Sequence, residues 1–265
     1  MHPELFTIFG KTITTYGLMA MLGLLAAIAT WTFLLHRHPD FSPDLPGTLG
    51  ILLILSGLVG ARIAYVVANW SDFAPAPVEI LRVDHGGLIF YGGLVLASCA
   101  LVAYSFTARL PLWRLADFAI PGLAIGHAFG RVGCFLFGCC HGCPADRFPV
   151  LGIAFPPDTP LGAATHSLPL YPVQLFEAAA LLAIWLLLLR LHARPHRPGA
   201  VFAAYLLAYP PVRFALEYLR GDPRQPAVAS LDVAQLVSIA LFAAGLALLA
   251  FPRAFGRPAT APSTP

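Results

Sequence analysis

Charge is scarce in this chain. Asp, Glu, Lys and Arg make up 11% of its 265 residues while apolar side chains reach 58%, against roughly 25% charged in a soluble globular domain. Water is therefore not its main solvent. The formal net charge of +3 comes from scattered basic residues, so the clustered electrostatic footprint that nucleic acid requires is missing and nucleic acid is excluded as a partner. A secretory signal is missing too: residues 13–35 run without a charge, well beyond the roughly 7–15-residue core of such a signal, and no cleavage pattern follows. The first hydrophobic segment is expected to stay as a span. An internal repeat of the inverted-topology kind is also absent, which disfavours a transporter.

What the chain does have is a series of long apolar runs. A helix needs about 20 apolar residues to cross the hydrocarbon layer, and seven segments qualify: 13–35, 47–69, 86–106, 117–137, 173–189, 200–218 and 233–251. Proline-rich connections at 42–46, 75–77, 156–160 and 195–198 punctuate them. The expected fold is an all-α polytopic membrane bundle of about seven helices, forming a single domain over 1–256 with a disordered tail at 257–265. Alternate loops differ in charge. One set carries Arg37, Arg109, Arg114, Arg190, Arg194, Arg197, Arg253 and Arg257; the other holds most of the acids, including Glu4, Asp72, Glu79, Asp146, Asp158 and Asp222. Arginine and lysine favour the cytoplasmic side, so the N-terminus is expected outside and the C-terminus inside, which an odd number of spans satisfies. The longest loop, 138–172, then lies on the outer face, and long loops in compact folds are often functional.

Ionisable groups at membrane depth are costly and mark sites by default. Here they are Arg62, Arg131, Glu177, Arg213 and Glu217, with Arg220 at the outer rim. Arg213 and Glu217 are four apart and can pair on one helical face, and Glu177 can neutralise one more arginine. At least one of Arg62, Arg131 and Arg220 is then expected to lack a protein counter-ion, and a planar guanidinium is well suited to grip phosphate in two places. The alternative is a buried network that only holds helices in register. Arg131 and Arg220 weigh toward a ligand, because each lies beside glycine- or proline-rich backbone that a ligand can approach closely.

These same segments resemble a known family. ITTYGLMAMLG (13–23), GLVGARIAYV (57–66), GGLIFYGGL (86–94), GRVGCFLFGCCHG (130–142), LYPVQLFEA (170–178) and RFALEYLRGDPR (213–224) occur in the order found in prolipoprotein diacylglyceryl transferases. The resemblance implies transfer of a diacylglyceryl group from phosphatidylglycerol to the lipobox cysteine thiol of a prolipoprotein. The reaction would occur at the outer leaflet of the bacterial inner membrane, with membrane lipids as surroundings and no cofactor or metal. By position, Arg131 and Arg220 resemble the family's phosphate-binding arginines and Gly142 the glycine that closes its signature. Tyr16 matches the family's important tyrosine, whose structural alternative is an interfacial belt residue. Arg62, Glu177 and Glu217 are carried as further substrate-binding candidates.

The chain also departs from the family pattern. The usual signature runs close to G-R-x-G-N-F-x-N-x-E-x-x-G, whereas Cys134 stands for the first Asn, Phe137 for the second and Cys139 for the Glu. Many members have a histidine where Tyr91 stands, and a phenol with a pKa near 10 is a poor base at neutral pH. Proton removal then falls to His85, His127, His141 or water. Cys134, Cys139, Cys140 and Cys143 crowd the outer end of the fourth span, where disulfides are allowed. They read as one or two bracing disulfides, as a metal or redox site built on the Cys140/Cys143 C-x-x-C, or as a reactive thiol. Cys99 reads as a small packing residue. Besides the transferase, a non-catalytic lipid or lipoprotein binder and a membrane thiol oxidoreductase stay open. The transferase reading predicts a cavity open to the outer leaflet and lined by Tyr16, Tyr91, Arg131 and Arg220.

Overall fold

A computed structural model describes residues 4–8, 11–82, 87–221 and 231–250. It opens with a β-hairpin, β1 (Glu4–Ile8) and β2 (Lys11–Thr14), paired antiparallel. Helices α1 (Thr15–Leu35), α2 (Leu45–Ala68), the single turn α3 (Trp70–Phe73), α4 (Phe90–Thr107), α5 (Leu112–Phe137), the short α6 (Pro160–Ala164), α7 (Val173–His192), α8 (Ala200–Glu217) and α9 (Val233–Ala250) follow. Six of them, α1, α2, α4, α5, α7 and α9, are long and apolar enough to cross a membrane. Helix α8 has 18 residues, about 27 Å at 1.5 Å per residue, but dilutes its apolar character with Arg213, Glu217 and two internal prolines. The chain is a helical polytopic membrane bundle. Large apolar side chains such as Phe33, Ile51, Val67, Phe90, Val95 and Phe106 face outward, as lipid rather than water as solvent requires. Of the sequence readings, Gly86, Phe251, His85 and the 257–265 tail lie outside the described residues.

The chain divides into two compact units, 32–115 and 1–31 with 116–265. In the first, α2 and α4 pack backbone to backbone. A Cβ on Gly60 would collide with the Gly92 carbonyl, and one on Gly93 would lie 2.7 Å from the Gly57 oxygen. Small residues permit this approach where lipid supplies no hydrophobic drive between helices. Cys99 lies exposed on α4, which corrects its reading as a packing residue: only 11% of that helix's apolar stretch is buried in protein.

In the second unit the core is built by α5, α7 and α8: Ile120, Ala124 and Ala128 meet Leu181, Ile184 and Leu188, and both rows meet Val201, Tyr205, Leu206 and Tyr209. Helix α9 packs on α8 with Gly245 against Leu206. Helix α5 begins five residues before the position expected from charge, because Asp117 is not a boundary residue. It is 2% exposed and accepts hydrogen bonds from the backbone N–H groups of Gly199 (2.7 Å) and Phe202 (2.8 Å). These are orphan donors at the start of α8, whose positive end favours a carboxylate. Gly199, at φ 86°, makes the turn into α8.

Candidate functional site

Glycine brings the first site elements together. Helix α1 crosses α5 where a Cβ on Gly23 would lie 2.9 Å from the Gly126 oxygen. Nearby, Gly122 leaves room for the indole of Trp31, whose Nε1 donates to the Ala119 carbonyl at 2.9 Å. About two helix turns beyond Gly126 the contact continues to Gly133, where a Cβ would meet Met19 at 3.0 Å and the Tyr16 ring at 3.2 Å. The second glycine of the G-R-x-G run thus seats Tyr16 against the outer end of α5.

Arg131, on the same stretch of α5, meets Glu177 of α7, with Nε 3.0 Å from Oε2. Glu177 is 3% exposed and collects two more partners. Tyr209 Oη donates to its Oε1 at 2.7 Å, and His127 Nε2 lies 3.8 Å from that oxygen. The Arg131 Nε is buried without a hydrogen bond of its own, so its contact with Glu177 is an ion pair. One helix turn further along α8, Arg213 pairs with Glu217 as the four-residue spacing predicts.

Past α5 the chain reverses. Gly138, at φ 82°, caps the helix, with its N–H and that of Cys139 both donating to the Cys134 carbonyl; glycine is the usual residue at this left-handed position. Cys140 also has positive φ, 58°, which a non-glycine residue adopts at a cost of about 1–3 kcal/mol. The result folds Cys139 and Cys140 back over Cys134, and the three Sγ atoms all lie within 4.8 Å of one another. Gln174, 1% exposed, pins the turn by donating to the Cys139 carbonyl at 2.7 Å. All five cysteines are free thiols. Cys143 stands apart from the trio, packed with Ala145, Tyr171 and Val173.

The next residues are clamped between two other segments. Gly142 N–H donates to the Tyr171 carbonyl (3.0 Å), Cys143 N–H to that of Leu219 (2.8 Å) and Gly221 N–H to that of His141 (3.0 Å). A Cβ on Gly142 would strike the Tyr171 carbonyl, and one on Gly221 the Gly142 carbonyl. Only glycine at both places lets these strands touch, and the contact, an antiparallel bridge between Gly142 and Arg220, carries Arg220 to the cysteines. Hydrogen bonds from Cys134 and Cys139, followed by Arg220, hold the Cys140 thiol well below its ordinary pKa. The hydrogen bonding of Cys139 with Cys134 and Cys140 pushes the Cys139 thiol well above it. Arg131 adds its field at Cys134 and Cys140, and Tyr16 lies within range of Arg131 and all three thiols. His141 Nδ1 lies 3.0 Å from the Gly142 carbonyl; since a carbonyl only accepts, Nδ1 is the donor in this contact.

Of the residues singled out from sequence, Tyr16, Arg131, Cys134, Cys139, Cys140, Gly142, Glu177 and Arg220 come together in one unit. Arg62 and Tyr91 belong to the other. Arg62 donates to the carbonyls of Ile80 (2.9 Å), Gly87 (3.1 Å), Glu79 (2.7 Å) and Arg82 (3.0 Å), an arrangement that fixes a loop. Tyr91 opens α4 edge-on to Phe90. Gln174 and Tyr209 were not foreseen: both are neutral, and the cost of burying charge gives no signal for them. Gln174 stands within the quoted LYPVQLFEA run, three residues before Glu177, and that proximity was the available hint.

The family model for prolipoprotein diacylglyceryl transferase matches residues 3–251. The chain is 33% identical over 261 residues to phosphatidylglycerol–prolipoprotein diacylglyceryl transferase 2 of Clostridium perfringens, covering 98% of this chain and 99% of the relative. Similar relatives are the phosphatidylglycerol–prolipoprotein diacylglyceryl transferases of Clostridium tetani, 30% identical over 90% of this chain and 93% of theirs, and of Synechococcus elongatus, 33% identical over 92% and 85%.

Proposed function

The chain belongs to the prolipoprotein diacylglyceryl transferase family, and from that premise we propose that it transfers the diacylglyceryl group of phosphatidylglycerol to the lipobox cysteine of a prolipoprotein. It is a multi-pass bacterial membrane protein. The arginine asymmetry of its loops supports placement in the inner membrane with the reaction centre toward the outer leaflet.

In this reaction the acceptor sulfur attacks the glyceryl carbon, the carbon–oxygen bond breaks, and glycerol phosphate leaves with the electron pair. Negative charge grows on the departing phosphate, so donors must already be aimed at it in a water-poor site. Arg131 carries the reading. Its guanidinium forms an ion pair with the buried Glu177 at 3.0 Å, and its planar fork suits the two-point grip a phosphate offers. Arg220, hydrogen-bonded to Cys140, supplies the second cation. The Tyr16 hydroxyl is placed to hydrogen-bond the head group, and Gly142 keeps the loop thin enough for Arg220 to reach the site. Glu217 orients Arg213 beside it.

Glycerol phosphate release from micelles containing phosphatidylglycerol and a lipobox peptide tests this. Arg131→Ala is expected to lower release about 100- to 1,000-fold, the usual loss when a transition-state donor is removed. Release that persists at the wild-type rate in that variant refutes the role given to Arg131.

A further inference from the structure

The sulfur trio at the end of α5 is arranged as a ligand set. A tetrahedral cation bound at about 2.3 Å to each sulfur needs sulfur separations of roughly 3.8 Å. The Sγ atoms of Cys134, Cys139 and Cys140 already lie within 4.8 Å of one another, so rotamer adjustments of an ångström or less complete the set. The backbone is built to hold them there: the Gly138 turn, the positive φ of Cys140 and the Gln174 bond to the Cys139 carbonyl each serve that fold-back. Three sulfurs cannot be satisfied by a single disulfide, which would leave one thiol over. All three residues are partly exposed, and three protein ligands on a tetrahedral cation leave a fourth position for water or substrate. Thiolate donors select thiophilic ions over magnesium or calcium. Three thiolates around a divalent cation leave a net charge of −1, which Arg131 and Arg220 offset.

We propose that Cys134, Cys139 and Cys140 bind one thiophilic divalent cation of the zinc type and that its fourth position takes the acceptor thiol. The second half rests on the transferase reading. A thiol that coordinates such a cation is deprotonated, so the acceptor S–H proton passes to solvent as the metal–sulfur bond forms. The bound sulfur then forms the new bond to the glyceryl carbon, the metal–sulfur bond is released with the thioether, and glycerol phosphate departs with the carbon–oxygen electron pair. The cation thereby does what a general base does elsewhere, in a chain with cysteine at the signature's carboxylate position and tyrosine at Tyr91.

The test uses the full chain in phosphatidylglycerol nanodiscs, reduced with a phosphine, its thiols counted, and titrated with Co²⁺. The expected result is a thiolate-to-cobalt charge-transfer band saturating at one ion per chain, bleached by Zn²⁺ but not by Mg²⁺ or Ca²⁺. Cys134→Ser, Cys139→Ser and Cys140→Ser should each weaken binding roughly 100-fold or more, and Cys99→Ser should leave it unchanged. Adding a lipobox peptide should shift the cobalt spectrum, whereas its Cys→Ser counterpart should not. Absence of the band in wild-type protein with all thiols counted as reduced overturns the site, without reliance on any variant's folding. A band indifferent to the cysteine peptide overturns the acceptor role. Glycerol phosphate release measured on the same sample separates the two readings. Undiminished release after chelation overturns the cation's role and leaves the transferase standing. Cobalt binding without any release supports the site and counts against the transferase.

Discussion

Glu177 is the residue on which the site's electrostatics turn. It holds the Nε edge of Arg131 and also draws off part of that cation's pull on phosphate. Replacing it with glutamine keeps an acceptor for Tyr209 but removes the charge. Glu177→Gln should therefore tighten lipid binding while loosening the aim of the guanidinium, so that KM and kcat fall together, kcat by about 10-fold or more; a steady-state titration with phosphatidylglycerol reads both, and an unchanged kcat contradicts the positioning role. The thiols give a pH prediction of definite sign. With its pKa lowered, Cys140 is a thiolate at pH values where Cys139, its pKa raised, is still protonated. Brief iodoacetamide treatment of metal-free protein at about pH 6 should label Cys140 before Cys139, as peptide mass spectrometry would show. Charged residues were legible in the sequence because charge at membrane depth needs a reason, which singled out Arg131, Glu177, Arg213 and Glu217. Their pairing was legible only where it is local: Arg213 with Glu217 follows from helical spacing, whereas Arg131 with Glu177 depends on how α5 meets α7.

Helix boundaries followed from apolar run length to within a few residues, because lipid sets the length that each helix must have. The exception is the start of α5, where Asp117 looked like the edge of the membrane and is instead the buried cap of α8. Asp117→Ala should cost about 2–3 kcal/mol, since two backbone donors lose a charged acceptor inside the fold; a drop in thermal midpoint in detergent measures it, and an unchanged midpoint contradicts the cap. The N-terminal hairpin was not foreseen, because the residues ahead of the first span were read for charge and not for alternation. At the crossing of α1 and α5, even a Cβ on Gly133 would press on Met19 at 3.0 Å and the Tyr16 ring at 3.2 Å. Gly133→Leu should displace Tyr16 and reduce turnover at least as far as Tyr16→Phe does, and full activity in the leucine variant would show that the seat of Tyr16 is not needed. The cysteine fold-back could not be read from spacing. The C-x-x-C spacing points to Cys140 with Cys143, whereas the left-handed turn at Gly138 brings Cys139 and Cys140 to Cys134.

For the whole molecule, composition identifies the solvent, and the order of six motifs along nearly the full chain points to the family. What composition could not supply is convergence: signature loop, α7 and the end of α8 meet because Gly142 and Gly221 let three backbone segments touch. This convergence serves transfer of a lipid group to a thiol. Its most direct test is mass spectrometry of a lipobox peptide incubated with the full chain in phosphatidylglycerol nanodiscs. The expected result is a mass increase equal to one diacylglyceryl group, on the cysteine peptide and not on its serine counterpart. No adduct on the cysteine peptide from folded protein, with lipid and peptide both saturating, would contradict it.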